Sequence, residues 1–171
     1  MKHYETLDLG SISLGDKVMI SDHCYKLGTW CQDLLEDVQP GRYRCSLLIS
    51  DEGEWGNRVT FLTASNSDVE NITFDLSDLE SESGDIGVDS GMCGIFDYKY
   101  YKTVAGDDEW YDEVCKLDDG NTFDEKAVIS SSGYGDGCYD LLVNRNDEGK
   151  VTFTFPKIYL RYTCIFENNV L

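Results

Sequence analysis

Three features of the sequence predict a mainly β chain, folded as an antiparallel β-sandwich or a partly open barrel with one short amphipathic helix at about 106–116. Short runs of alternating apolar and polar residues recur along the 171 residues, glycine-rich turns separate them, and a convincing helical period occurs once. Eight or nine short strands of this kind must bury their apolar faces against a second layer, which points to a sandwich or barrel.

In chain order, Ile12 to Leu14 and Lys17 to Ser21 flank Gly15 and Asp16 as a hairpin-like start, with Val18 and Ile20 on one side. Residues 1–10 before it, and 167–171 at the other end, read as loose. Gln32 to Val38 suits a helical turn or two, stopped by Pro40 and Gly41. Arg42 to Ser50 and Arg58 to Ala64 alternate as strands, and Trp55 between them is expected to fold back over the sheet edge. Residues 65–84, rich in serine and acids, read as a mobile acidic loop.

Ile86 to Asp97 reads as strand, tight turn, strand, punctuated by Gly87, Gly91 and Gly94. Asp107, Asp108 and Glu109 then precede Trp110, Tyr111, Val114 and Cys115, a helix with acids in its first turn and Lys116 near its end, as the helix dipole prefers. Asp118 to Asp124 reads as a loop before Ala127, Val128 and Ile129. The clearest hairpin follows: Tyr139, Leu141 and Val143 alternate, Asn146 to Gly149 turns, and Val151, Phe153 and Phe155 resume the alternation. Lys157 to Phe166 alternates as a last strand.

With 41% hydrophobic residues, 1–171 is expected to form a single domain. No run approaches the roughly 20 apolar residues of a membrane span, and Met1 to Gly10 lacks the apolar core of a secretion signal, so a cytoplasm, the cell's own or a host's, is expected. The net charge is -19, and between Asp68 and Glu125 stand 18 acids and 3 bases, Lys99, Lys102 and Lys116. Such a surface repels nucleic-acid phosphates and membranes and attracts basic proteins and cations. Neither direct nucleic-acid binding nor membrane binding is expected; a protein partner with a basic surface is, through an acidic face of Asp107, Asp108, Glu109, Asp112 and Glu113. Mimicry of DNA charge is one form that reading takes.

Seven cysteines without a secretion signal are expected to be mostly reduced. Cys45 and Cys164 read as small buried apolar residues, whereas Cys24, Cys93 and Cys138 lie in three glycine- and aspartate-bearing blocks. Those blocks are Ser21-Asp22-His23-Cys24-Tyr25 with Gly28-Thr29-Trp30-Cys31, then Gly87-Val88-Asp89-Ser90-Gly91 with Gly94-Ile95-Phe96-Asp97, then Ser131-Ser132-Gly133-Tyr134-Gly135-Asp136-Gly137 with Tyr139. Loops that follow strands gather at one end of a sandwich, so Asp22, His23, Asp89, Ser90, Asp97, Tyr134 and Asp136 are the expected ligand- or partner-binding rim.

Asp22, Asp89, Asp97 and Asp136 are oxygen ligands of the kind that hold a divalent cation, which opens a metal-dependent hydrolase or nucleotide-binding alternative. The competing reading is that aspartates beside glycines satisfy turn amides, and no cofactor is assigned. No phosphate loop, nucleophile elbow or zinc-protease helix occurs. His23 is a candidate general acid or base, but neighbours on an extended segment point to opposite faces, so Asp22 and Cys24 are not both expected to serve it from one side.

The three blocks, together with Glu109-Trp110-Tyr111-Asp112-Glu113-Val114-Cys115, resemble the bacterial and phage proteins grouped as domain of unknown function 4241 and its relatives. The resemblance runs from about Gly15 to Tyr159 and departs at His23, where the family pattern has proline. It implies a small, mostly β protein of bacterial or phage origin and brings no activity or catalytic residue with it. The function expected is that of a non-enzymatic interaction module, of the counter-defence or immunity-inhibitor type.

Overall fold

A computed structural model of the chain describes residues 4–67 and 80–157. In chain order these form β1 (Tyr4–Leu14), β2 (Val18–Ser21), β3 (Asp33–Leu35), β4 (Gly41–Asp51), β5 (Asn57–Asn66), β6 (Glu80–Val88) and β7 (Met92–Asp97). Helices α1 (Tyr98–Val104) and α2 (Asp108–Val114) follow, then β8 (Gly120–Phe123), β9 (Ala127–Ser131), β10 (Gly137–Arg145) and β11 (Val151–Lys157). The predicted mainly β, antiparallel architecture is what forms. A six-stranded sheet has the order β1-β4-β5-β11-β10-β6 and a five-stranded sheet the order β3-β2-β7-β9-β8.

Alternation along the strands decides which layer each side chain enters. Val18 and Ile20 of β2, Cys93 and Ile95 of β7 and Val128 of β9 join Ile12, Tyr43, Leu47, Leu62, Ile86, Tyr139 and Leu141 in the core between the sheets. The intervening residues Met19, Met92, Phe96, Ala127 and Ile129 form a second core with Tyr101 of α1 and with Trp110 and Val114 of α2. The five-stranded sheet is thus covered on both faces, and the molecule has three layers. A strand buried on both sides reads as a continuous apolar run, which is why Met92 to Phe96 shows no polar alternation.

Several local expectations are corrected by pairing between distant strands. Residues 4–10 are not loose: β1 pairs with β4 from Tyr4 against Ser50 to Leu14 against Gly41, with a bulge at Asp8 and Gly10. Gly15 and Asp16 do not close a hairpin, because β1 lies in one sheet and β2 in the other; the turn crosses between layers, and Gly15 N–H donates to Asp97 Oδ2 at 2.9 Å. Gln32 to Val38 is extended rather than helical, since Asp33–Leu35 adds to the edge of β2, with Leu35 and Val38 buried.

Asp118 to Asp124 contributes β8, paired with β9. Trp55 does not cover the sheet edge; it lies in a 3-10 turn, Gly53–Trp55, and is 70% exposed. The predicted helix near 106–116 forms as α2 and is preceded by a second helix, α1. Of the supposed loop 65–84, Ser65 and Asn66 belong to β5 and residues 80–84 to β6. Ser67 donates its N–H to the Arg42 carbonyl at 2.8 Å, and residues 68–79 lie outside the described residues, as do residues 1–3, the strand expected beyond Lys157, Cys164 and the tail 167–171.

Gly133 carries a close approach that no other residue type would tolerate. Its φ is +67°, and a Cβ there would stand 2.0 Å from the Val59 carbonyl oxygen. Gly135, at φ +86°, has open space around the same position. Gly133→Ala should therefore lose about 3 kcal/mol or more, strain and overlap together, while Gly135→Ala should lose only about 1 kcal/mol of left-handed strain. Urea unfolding of both variants checks this; equal losses would mean that the contact with Val59 is not what demands glycine.

Candidate functional site

The site is built around Asp22, the first residue after β2, whose side chain is fully buried. The chain turns at that point, and Asp22 Oδ1 accepts the Cys24 N–H at 2.8 Å in a local turn bond. The same carboxylate reaches across to the second loop. Oδ2 accepts the Asp89 and Ser90 N–H groups, each at 2.7 Å, and Oδ1 accepts the Ser90 hydroxyl at 2.7 Å. Burial alone pushes this carboxyl up, but the bonds from His23, Cys24 and Ser90 more than reverse it and hold Asp22 well below the usual carboxylate range.

The third loop closes onto the second. Ser132 N–H donates to the Gly91 carbonyl at 2.8 Å, while Ser132 Oγ and Tyr139 Oη both donate to the Gly135 carbonyl, at 2.6 and 2.5 Å. Arg58 reaches the Gly133 carbonyl at 3.3 Å from the neighbouring sheet. The first loop is pinned from α1: Tyr101 Oη donates to the Tyr25 carbonyl at 2.7 Å and accepts from Gln32 Nε2 at 2.6 Å. Gln32 Oε1 in turn accepts the Gly28 and Thr29 N–H groups, both at 3.0 Å.

The three motif loops therefore converge. Between them lies a cleft of about 220 Å³, lined by Tyr25, Trp30, Cys31, Gly87, Asp89 and Cys138 among others. Trp30 stands at its edge, 86% exposed. Burial, followed by bonds to Cys31 and Asp89, pushes the Tyr25 hydroxyl up, so it stays protonated in the cleft wall.

His23 is also buried, and its ring is held on every side. Nδ1 lies 3.2 Å from Ser90 Oγ and 3.4 Å from Asp22 Oδ1, and Nε2 faces Cys115 Sγ at 3.7 Å. Tyr111 stacks on the ring, with centroids 5.0 Å apart and planes 13° apart, and Trp110 meets its edge at 6.0 Å. The expectation that Asp22 and Cys24 cannot both serve His23 holds for a different reason from the one given, since the segment is a turn and not an extended strand. Burial, then the carboxylate of Asp22, push the Cys24 thiol up to about 12. The cysteine facing the histidine is Cys115, just beyond α2, which sequence reading assigned only to the helix.

The predicted rim residues separate into two places. Asp22, His23, Asp89, Ser90, Tyr134 and Asp136 belong to the converged loops, with Asp89 and Asp136 exposed. Asp97 does not join them: it ends β7, roughly 17 Å of strand away from Met92, and caps α1 by accepting the Lys99 and Tyr100 N–H groups at 3.0 and 3.2 Å. Among the described residues, no three His, Cys, Asp or Glu side chains are grouped to hold a metal ion. The carboxylates of Asp22 and Asp97 are instead occupied by backbone amides. Asp107 caps α2 through the Trp110 N–H at 2.8 Å, and the five acids 107, 108, 109, 112 and 113 all face outward because Trp110 and Val114 face in.

Asp22→Asn should destabilise the protein by about 2–4 kcal/mol at pH 7, since a buried acceptor of several charge-assisted bonds loses its charge. The folded-state carboxyl is depressed, so its contribution is complete above the unfolded value of about 4 and is lost as pH falls through the folded value. The gap between wild type and variant in urea should accordingly narrow at pH 3; a gap that stays constant would show that the charge is not the source. In comparison with known proteins, no family model, curated protein or solved structure matches this chain.

Proposed function

We propose that the chain is a non-enzymatic protein-binding module of bacterial or phage origin, whose converged loop rim and adjoining acidic helix engage a partner with a basic surface. The origin follows the resemblance to proteins of domain of unknown function 4241. The observation that carries the binding reading is Trp30. A large aromatic residue left 86% exposed gains nothing in folding, yet the loop that bears it is fixed by Gln32 and Tyr101 beneath it. Rigid, exposed aromatic residues beside a cleft are what protein interfaces use as anchors, because little conformational entropy is lost when they are covered.

The acidic face complements this anchor. Asp108, Glu109, Asp112 and Glu113 project from α2, and a net charge of -19 favours encounter with basic surfaces while repelling nucleic acid. A partner that itself binds DNA through a basic cleft would meet both features.

The test uses the full chain as immobilised bait for the proteins of a bacterial host, followed by titration of each purified basic binder. Trp30→Ala should weaken binding about thirtyfold or more, as for an anchor worth about 2 kcal/mol. Reversing Asp108, Glu109, Asp112 and Glu113 to lysine, with the cap Asp107 spared, should slow association and flatten its salt dependence. Binding unchanged by both sets of substitutions would sink this reading of the surface.

A further inference from the structure

We propose that Cys115 is a nucleophilic thiol paired with His23 and oriented by Asp22, a covalent site for carbon electrophiles that carry a leaving group, alkylating agents and activated acyl groups among them. The site is distinct from the cleft beside Trp30, of whose lining Cys115 makes no part, although Cys115 directly follows the acidic helix of the protein-binding reading.

The hydrogen-bond directions assign the histidine tautomer. Asp22 is a carboxylate and only accepts, and the single hydroxyl hydrogen of Ser90 is committed to Asp22 Oδ1 at 2.7 Å. Both groups facing Nδ1 are therefore acceptors, so Nδ1 carries the hydrogen and Nε2 presents its lone pair to Cys115 Sγ at 3.7 Å. An acid on one nitrogen and a nucleophile on the other is the relation that turns a weak nucleophile into a strong one.

Asp22 and the Tyr111 ring hold the imidazole in that orientation, and the buried carboxylate stabilises the imidazolium that forms when it takes the thiol proton. Cys115 itself is exposed while His23 is buried, so an electrophile reaches sulfur from solvent and the base is shielded behind it. The C-terminal end of α2 and the acids around it oppose a thiolate. These are partial or solvated charges, however, on a helix of only seven residues, and the imidazolium is in contact.

In the step itself, the Sγ–H proton passes to His23 Nε2, and the sulfur electron pair forms the S–C bond as the bond from that carbon to its leaving group breaks. With an acyl donor the leaving group then takes the proton from the imidazolium; with iodoacetamide iodide departs and the proton passes to water.

The protein carries its own reference thiols. Cys138 is exposed, but both nitrogens of His23, the one histidine among the described residues, are turned to other groups. Cys45 and Cys93 are buried and report unfolding if they label. Limiting iodoacetamide at neutral pH, followed by peptide mapping, should label Cys115 roughly tenfold faster than Cys138 or more. His23→Gln should bring the two rates together while Cys45 and Cys93 stay unlabelled. A ratio near one in the wild-type protein overturns the proposal whether or not the variant folds, and so does a fast Cys115 that is indifferent to His23→Gln in a folded variant.

Discussion

One buried carboxylate holds together the end of this molecule that bears the three loops. Taking Asp22 out of water is costly, and it is stabilised there only because donors from two loops converge on it: the Cys24, Asp89 and Ser90 N–H groups, the Ser90 hydroxyl and His23. The donors include the backbone N–H groups of Asp89 and Ser90, so the position of the second loop is set by the first without regard to the side chains it displays. The third loop then hangs on the second through Ser132 and Gly91. Asp89 and Asp136 are thus displayed, exposed, on a backbone that Asp22 keeps in place.

The layered architecture explains why this end is stiff. The five-stranded sheet is covered on one face by the six-stranded sheet and on the other by α1 and α2, so β2, β7 and β9 have no solvated side over most of their length. β2 ends at Ser21 and β7 begins at Met92, and both ends abut the loops they feed. Tyr101 ties the helical layer to the rim through Ser21, Gln32 and the Tyr25 carbonyl. Covering the sheet with α2 also places the acids of that helix outward and brings Tyr111 and Cys115 against His23, so packing, surface charge and thiol geometry share one cause.

The parts of the site that were legible in the sequence were those encoded within a few residues. Ser90 and Asp136 stand out because aspartate or serine beside glycine is turn chemistry, Asp22 stands out because it directly follows a strand, and their grouping into three blocks is visible by eye. Cys115 was not legible as a site residue, since it is 92 positions from His23 and nothing local marks it. Asp97 was grouped with the rim from its neighbourhood of glycines, although an acid directly before Tyr98, Lys99 and Tyr100 is also a helix-cap signal, and that is the role it takes.

The sequence by itself determined the β class, the hairpin of β10 and β11, the two strands flanking Gly91 and the amphipathic helix α2, because periodicity and turn residues act over a few positions. Only the tertiary structure decided that Gly15 and Asp16 cross between sheets, that residues 4–10 and 33–35 are strands, and that the three loops meet. An edge strand is held by the backbone of a partner far along the chain more than by its own apolar pattern. Loop convergence, likewise, depends on a buried charge whose donors lie 67 and 68 residues away.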